Sequence, residues 1–186
     1  MELGLYTDSV AMLSFEKALD LATDIGATGI EIAAGGQSSA PHMRVDELLG
    51  DDVKVTRFRD AFARRGLRIA ALNCSSWALH PVRGEEQASV IQRTIELARR
   101  LGVRKIVTMS GCPGDGVGST TINWIWYPWP EDAVALRERQ WDEAVPFWRE
   151  MAGRAADSGI ERIAFELHPL HLVYNVPTLL RMREAI

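Results

Sequence analysis

The chain has 186 residues, of which 47% are hydrophobic and 25% charged, a composition typical of one globular domain with a sizeable core. Its 21 Lys and Arg residues against 25 Asp and Glu residues give a net charge of -4 without a long basic run, which argues against a nucleic-acid partner. No apolar run approaches about 18 residues and no charged leader precedes an apolar stretch, so we expect no membrane partner and a cytoplasmic location. Only Cys74 and Cys112 are present, too few for a disulfide framework, and both are predicted to be small buried residues.

A short sequence pattern, in which a helix ends at a glycine and an apolar strand follows, occurs four times. The glycines are Gly26, Gly66, Gly102 and Gly159, and the strands follow at residues 29–32, 67–72, 103–109 and 160–165. Glycine just past a helix adopts the left-handed conformation without a Cβ clash, which is a common way for a helix to stop. With residues 3–6 at the start, the sequence predicts five strands that alternate with helices.

The helices before these glycines show the 3.6-residue spacing of an amphipathic face. This spacing is seen at Phe15, Leu19, Ala22 and Ile25, and again at Ile91, Ile95, Ala98 and Leu101. Ser14 and either Asp51 or Asp52 are predicted N-caps. The strands are mostly apolar rather than alternating, as expected of a parallel sheet that helices cover. The pattern predicts an α/β fold.

Polar or small residues follow every predicted strand. They are Asp8, Gly35 and Gly36, residues 73–76, Ser110 and Gly111, and Glu166 with His168. Both a barrel and a doubly wound sheet use this edge for chemistry. The turn at residues 7–10 lacks a G-x-G-x-x-G motif and a Walker lysine, so nucleotide binding has little support.

Glu166 and His168 close the apolar segment that begins at Ile160, and Pro169 follows them. Two residues that are two apart on a strand point to the same face, so we expect both side chains to line one surface. Both are competent metal ligands. A carboxylate paired with a basic neighbour and a structural histidine are the alternatives.

Residues 112–130 form a long insertion rich in Gly and Pro, and it carries Trp124, Trp126, Tyr127 and Trp129. Long loops in compact domains are often binding loops or lids, and such rings suit the CH face of a sugar or a subunit interface. Packing against Trp141 and Trp148 is the alternative interpretation.

Together these segments resemble the xylose isomerase-like family of TIM barrels, and in particular its sugar phosphate isomerase/epimerase branch. The resemblance covers the whole chain and rests on residues 3–8, 29–32, 71–75, His80 with Pro81, 107–111 and 165–169. It implies a (β/α)8 barrel, which typically needs about 250 residues. The chain is therefore expected to be about the first five βα units of a longer protein, with open sheet edges that favour association with itself.

The resemblance also implies a divalent metal at the barrel mouth, Mg, Mn or similar, that binds a sugar or sugar phosphate. Glu166 matches the ligand on the fifth strand and would also act as the base, while the ligands of the sixth, seventh and eighth strands have no counterpart here. His168 would bind a substrate oxygen beside the metal. Asn73, Trp77, His80 and Trp124 are candidate substrate contacts, with loop stabilisation or packing as the alternative for each. Glu31 is interpreted as a structural carboxylate, and His42 and His171 as loop residues.

The reaction implied is proton transfer next to a carbonyl, as in isomerisation or epimerisation. An inosose dehydratase-like lyase shares the metal and the first proton abstraction, so it stays open. An endonuclease IV-like hydrolase would need several zinc-binding histidines and a basic surface, which the sequence does not supply. A non-catalytic sugar-binding or assembly protein that uses the aromatic loop is a further alternative.

Overall fold

The computed structural model describes residues 2–127 and 129–186. Five strands alternate with helices along the chain. The strands are β1 (Gly4–Tyr6), β2 (Gly29–Ala33), β3 (Arg68–Asn73), β4 (Lys105–Thr108) and β5 (Arg162–Phe165). The helices are α1 (Phe15–Asp24), α2 (Val45–Leu49), α3 (Asp52–Ala63), α4 (Gly84–Leu101), α5 (Glu131–Asp157) and α6 (Val176–Ala185), and a 3-10 turn (Thr7–Val10) follows β1.

The strands form one parallel sheet in the order β1-β2-β3-β4-β5. The register pairs Tyr6 with Glu31 and Ala33 with Asn73, so the carboxyl ends of neighbouring strands lie side by side. The order shows no reversal of the kind that defines a doubly wound sheet, and sequential neighbours are what a barrel requires. The predicted α/β class and partial-barrel architecture are confirmed.

All four repeated glycines end a helix in the same way. Gly26, Gly66, Gly102 and Gly159 have φ between +67° and +76°, in the left-handed region. The residue after each glycine donates its amide to a carbonyl five residues back, for example Ala27 to Ala22 at 2.9 Å and Ile160 to Ala155 at 2.9 Å. This is the Schellman motif, and the donating residues are buried apolar side chains that start the return to the sheet.

The core lies between the sheet and the helices, and Trp148 on α5 is its largest fully buried side chain. The Trp148 indole N–H donates to the carbonyl oxygen of Ser110 at 3.0 Å, and its ring meets Phe165 edge-on at 4.6 Å. The Trp148 side chain therefore finds a hydrogen-bond acceptor for its indole N–H just after β4 and packs its ring on β5. Cys74 and Cys112 are free and buried, as predicted.

The two predicted N-caps differ in what their side chains do. Asp51 caps α3, because its carboxylate accepts hydrogen bonds from the amides of Val53 at 2.8 Å and Lys54 at 3.2 Å. Ser14 occupies the N-cap position of α1, but its side chain makes no capping hydrogen bond. Only the first cap satisfies helix donors that would otherwise lack a partner.

Asp51→Ala is therefore expected to lower the free energy of unfolding by about 1 kcal/mol, because two amides of α3 lose their acceptor. Ser14→Ala is the matched control and should cost less than about 0.5 kcal/mol. Urea denaturation followed by circular dichroism measures both. Equal effects of the two substitutions would contradict the assignment of the caps.

The outer edges of β1 and β5 pair with no further strand within residues 2–127 and 129–186. Beside β5 lies an apolar cavity of about 370 Å³, lined by side chains that include Ile163, Phe165 and Leu180. Unpaired strand edges next to apolar surface are templates for association.

We therefore expect the 186-residue chain, when expressed by itself, to associate in a concentration-dependent way. Sedimentation velocity over a hundredfold concentration range is the measurement. A monomer at every concentration, together with one sharp two-state melt, would contradict this expectation.

Candidate functional site

Glu166 and His168 lie just beyond the carboxyl end of β5, which ends at Phe165. Both residues therefore directly follow the strand, as the sequence predicts. The backbone amide of Glu166 still donates to the carbonyl oxygen of Thr108 at 2.8 Å, which fixes this residue beside the end of β4. The Glu166 side chain is exposed, so its carboxylate is open to a ligand.

A chain of hydrogen bonds connects Glu166 to the ends of β2 and β3. The side-chain Nδ2 of Asn73 donates to Oε1 of Glu31 at 2.8 Å, and the side-chain Oδ1 of Asn73 accepts from the backbone amide of Ser75 at 2.9 Å. The Ser75 hydroxyl in turn donates to Oε2 of Glu166 at 3.2 Å. Asn73 is buried and positions Ser75, and Ser75 holds the Glu166 carboxylate.

The pKa of Tyr6, at the end of β1, indicates that this edge of the sheet is negatively charged. Burial raises the pKa of the Tyr6 phenol, and the negative charges of Asp8, Glu31 and Glu166 and a hydrogen bond with Asp8 raise that pKa further. The phenol is therefore protonated at neutral pH and remains a hydrogen-bond donor. The carboxyl edge of the sheet is acidic, which suits a cation more than an anion.

The carboxylate and hydroxyl oxygens at this edge are the donor type that Mg²⁺ and Mn²⁺ prefer. Within residues 2–127 and 129–186, however, no group of three or more His, Cys, Asp or Glu side chains lies close enough together to hold a metal ion. Glu166 fits a metal ligand in chemistry and exposure, but it is a single ligand. The described residues therefore do not form a metal site by themselves.

The candidate substrate contacts other than Asn73 lie around the same edge. Trp77 stacks on the ring of His171 at 4.2 Å, and Nδ1 of His80 accepts the amides of Val82 and Arg83 at 3.1 and 3.2 Å, next to the start of α4. Trp124 lies in the aromatic loop and meets Tyr174 edge-on at 5.3 Å. Each of these side chains has a structural partner, and their roles as substrate contacts stay predictions.

Comparison with known proteins decides the family. The model of the xylose isomerase-like TIM barrel family matches residues 19–186. The chain belongs to this family. The uncharacterized protein YfiH of Bacillus subtilis (strain 168) is 38% identical over 190 residues, and the match covers 100% of this chain and 61% of that protein. The chain thus spans less than two thirds of the curated relative that it matches.

Solved structures show the same fold at low sequence identity. The probable 3-DHS dehydratase AsbF of Bacillus anthracis superposes with a TM-score of 0.68 and 18% identity, covering 100% of this chain and 59% of that one. The IolI protein with a bound zinc atom superposes with a TM-score of 0.64 and 16% identity, covering 98% of this chain and 58% of that one. D-psicose 3-epimerase in the presence of D-fructose superposes with a TM-score of 0.63 and 16% identity, covering 100% of this chain and 60% of that one.

Within residues 2–127 and 129–186 of this xylose isomerase-like chain, no helix is long and apolar enough to cross a membrane.

His171 is a residue whose importance the sequence does not reveal. It lies in a loop, as predicted, but it is fully buried, and its Nδ1 accepts the amide of Gly111 at 3.1 Å. With Trp77 stacked on its ring, His171 joins the exit loops of β3, β4 and β5 of the xylose isomerase-like fold. Its second ring nitrogen has no hydrogen-bond partner among the described residues. His42, the other predicted loop histidine, is also buried and contacts the carbonyl oxygen of Leu13 through Nε2 at 2.9 Å.

His168 and His171 carry their protons on different ring nitrogens. His168 Nδ1 lies 2.7 Å from the carbonyl oxygen of Pro169 and must therefore be the donor, which leaves Nε2 of neutral His168 as an acceptor. His171 accepts at Nδ1, so its proton is on Nε2. The rings are 5.9 Å apart and edge to face. Only exposed His168 presents a free acceptor to solvent.

Two glycines allow the loops around this site to approach each other closely. A Cβ on Gly36, after β2, would lie 2.3 Å from the carbonyl oxygen of Ser75, and one on Gly111, after β4, would lie 2.7 Å from the amide of Leu79. Both glycines also have positive φ, of +82° and +73°. No other residue fits either position without moving the backbone of the β3 exit loop.

Burial, and to a smaller extent the charge of His168, lower the pKa of His171 from its usual 6.5 to about 4. Below pH 6.5 the unfolded chain binds a proton that the folded chain does not, so the free energy of unfolding falls as the pH falls towards 4. Between pH 7 and pH 5 this contribution is about 2 kcal/mol.

His171→Asn keeps an acceptor near the amide of Gly111 and removes the titrating ring. The loss of stability between pH 7 and pH 5 is therefore expected to be about 2 kcal/mol smaller in His171→Asn than in the wild type. Urea denaturation at the two pH values measures this difference. The same loss in both proteins would contradict a buried, neutral His171.

Proposed function

We propose that this chain forms the first five βα units of a longer metal-dependent sugar or sugar phosphate isomerase or epimerase that acts in the cytoplasm. The observation that carries the proposal is the Glu166 carboxylate. It is exposed at the carboxyl edge of the sheet and is held there by Ser75, which Asn73 positions against Glu31. Chemistry in TIM barrels takes place at this edge.

The relatives support the same class of activity. One structure with this fold contains zinc, and another is an epimerase solved in the presence of D-fructose. The chain covers about 60% of each of these longer proteins, 58% of the first and 60% of the second. Further metal ligands would then come from segments of the longer protein beyond the residues described here.

Glu166 is the proposed base. Its carboxylate would take the proton from the carbon next to the substrate carbonyl and, in an isomerase, deliver it to the neighbouring carbon. In an epimerase Glu166 would keep that proton, and a second acid on the opposite face would donate a different proton to the same carbon. The Ser75 hydroxyl donates a hydrogen bond to this carboxylate and orients it. A bound divalent cation would supply Lewis-acid polarisation of the substrate oxygens.

Other residues of this chain would bind and orient the sugar. His168, with its proton on Nδ1, offers Nε2 as an acceptor for a substrate hydroxyl. We propose that Trp77, His80 and Trp124 face the substrate from the exit loops of β3 and β4. Asn73 would act as a positioning residue, because it is buried and bonded at both ends of its amide.

Glu166→Gln tests this proposal in the full-length protein. The substitution keeps the shape but removes the charge, so Mn²⁺ affinity should fall at least tenfold, roughly the cost of one charged ligand, and turnover at least about 100-fold, the typical contribution of a general base. Titration calorimetry with Mn²⁺ and an isomerisation assay are the measurements. Unaltered turnover would refute the role of Glu166.

Glu161→Gln is the matched control. Glu161 lies at the opposite end of β5, is exposed, and pairs with Arg104 at 2.6 Å, so this variant should keep both metal affinity and activity. A wild-type protein that binds sugar but no Mn²⁺ would instead support the non-catalytic sugar-binding alternative.

A further inference from the structure

A second cavity lies between the aromatic loop and the amino-terminal parts of α5 and α6. It has a volume of about 270 Å³, and its lining includes Trp124, Arg137, Trp141, Tyr174 and Arg181. Neither Glu166 nor His168 lines it, and Trp124 is the one proposed sugar contact that does. Its walls combine aromatic rings with two guanidinium groups.

Two side chains in this lining carry buried donors without an acceptor. The indole Nε1–H of Trp124 and the Nε–H of Arg137 have no hydrogen-bond partner among the described residues. The carboxylate oxygen of Glu138 lies 3.8 Å from Nε of Arg137, which is within ion-pair range but too long for a hydrogen bond. Buried donors in native proteins are normally satisfied, so two donors that find no acceptor among the described residues, both on side chains that line one cavity, favour a ligand that supplies acceptors there.

Arg181 is held in place at the same cavity. Glu138 accepts two hydrogen bonds from its guanidinium, at 3.0 and 2.5 Å, and the guanidinium carbon lies 4.2 Å above the ring of Trp141. A guanidinium has five N–H donors, so three remain for a ligand after this fork-shaped pair. The group is therefore ordered before any ligand binds.

The charge of the cavity is positive. The charged side chains that line it are Arg137 and Arg181, and no carboxylate is part of the lining. Glu138 behind them is ionised, because its hydrogen bond to Arg181 and then the charges of Arg181 and Arg137 lower the pKa of its carboxyl. One carboxylate against two guanidinium groups leaves a net positive charge that faces the cavity.

We propose that this cavity binds the oxyanion of a small molecule, a phosphate or a carboxylate, with the aromatic walls against the rest of the ligand. Guanidinium groups and an indole N–H supply only donors, and an oxyanion supplies only acceptors, so the two sets are complementary. A neutral sugar would leave the positive charge uncompensated. The inference does not depend on metal binding or catalysis at Glu166.

Titration calorimetry at low ionic strength tests the proposal with inorganic phosphate, a hexose 6-phosphate, the matching hexonate and the matching free hexose. The full-length wild-type protein should bind at least one of the three anions more tightly than the free hexose. Binding of the phosphates alone assigns a phosphate site, and binding of the hexonate alone assigns a carboxylate site. A free hexose that binds as tightly as its phosphate would overturn the proposal.

Arg137→Gln should weaken binding of the anion at least about tenfold, because a charge-assisted hydrogen bond is lost. Arg139→Gln is the matched control, since Arg139 is exposed on the same helix and lies outside this cavity, and it should change the affinity less than about twofold. Equal affinity in the wild type and Arg137→Gln would overturn the proposal.

If Arg137→Gln does not fold, the affinity of Trp124→Phe for the anion tests the proposal instead. It keeps an aromatic ring and removes the indole donor, so the affinity for the anion should fall at least about threefold. Full affinity in a folded Trp124→Phe variant would likewise overturn the role of the unsatisfied donors.

Discussion

The structure depends on the way in which its helices end. Four times, a glycine in the left-handed conformation stops a helix, and the next residue bonds back to the last turn while its side chain enters the core. Each of these ends directs the chain into the next strand in the same sense, so all five strands run parallel. The carboxyl ends consequently lie along one edge, and residues far apart in sequence, such as Ser75 and Glu166, come within hydrogen-bonding distance there. The site is a direct result of repeated helix termination.

Two sets of contacts then connect the loops at this edge. One runs from Glu31 through Asn73 and Ser75 to Glu166, and it joins β2 to the segments that follow β3 and β5. The other runs from Gly111 through His171 to Trp77, and it joins the exit loops of β4, β5 and β3. Buried Asn73 and Ser75 thus connect the exposed Glu166 carboxylate to the sheet. The aromatic loop lies outside both sets of contacts, so its cavity can accommodate a ligand without disturbing Glu166.

Much of this architecture could be predicted from the sequence, because it follows from local signals. The glycine positions and the helical spacing predict the order of elements, and the strand ends are correct to within one or two residues. Glu166 could be singled out because it directly follows an apolar strand. The role of Asn73 as a substrate contact stays a prediction, whereas its hydrogen bond to Glu31 depends on the register between β2 and β3, which no local pattern contains. The burial of His171 depends on Trp77 and Gly111, which are 94 and 60 residues away along the chain. The two unsatisfied donors at Trp124 and Arg137 are likewise properties of packing between separate segments.

The close approaches at Gly36 and Gly111 have a consequence for how this protein can change. A side chain at either position would collide with the backbone of the loop that carries Ser75 and Leu79. Random mutagenesis would therefore remove most variants at these two positions, whereas exposed loop residues such as Val117 and Trp126 would tolerate many replacements. If the aromatic loop binds a ligand as proposed, new ligand preferences would arise through that loop while the framework around Glu166 stays unchanged. Libraries that aim to alter specificity should accordingly diversify residues 115–127 and leave both glycines untouched.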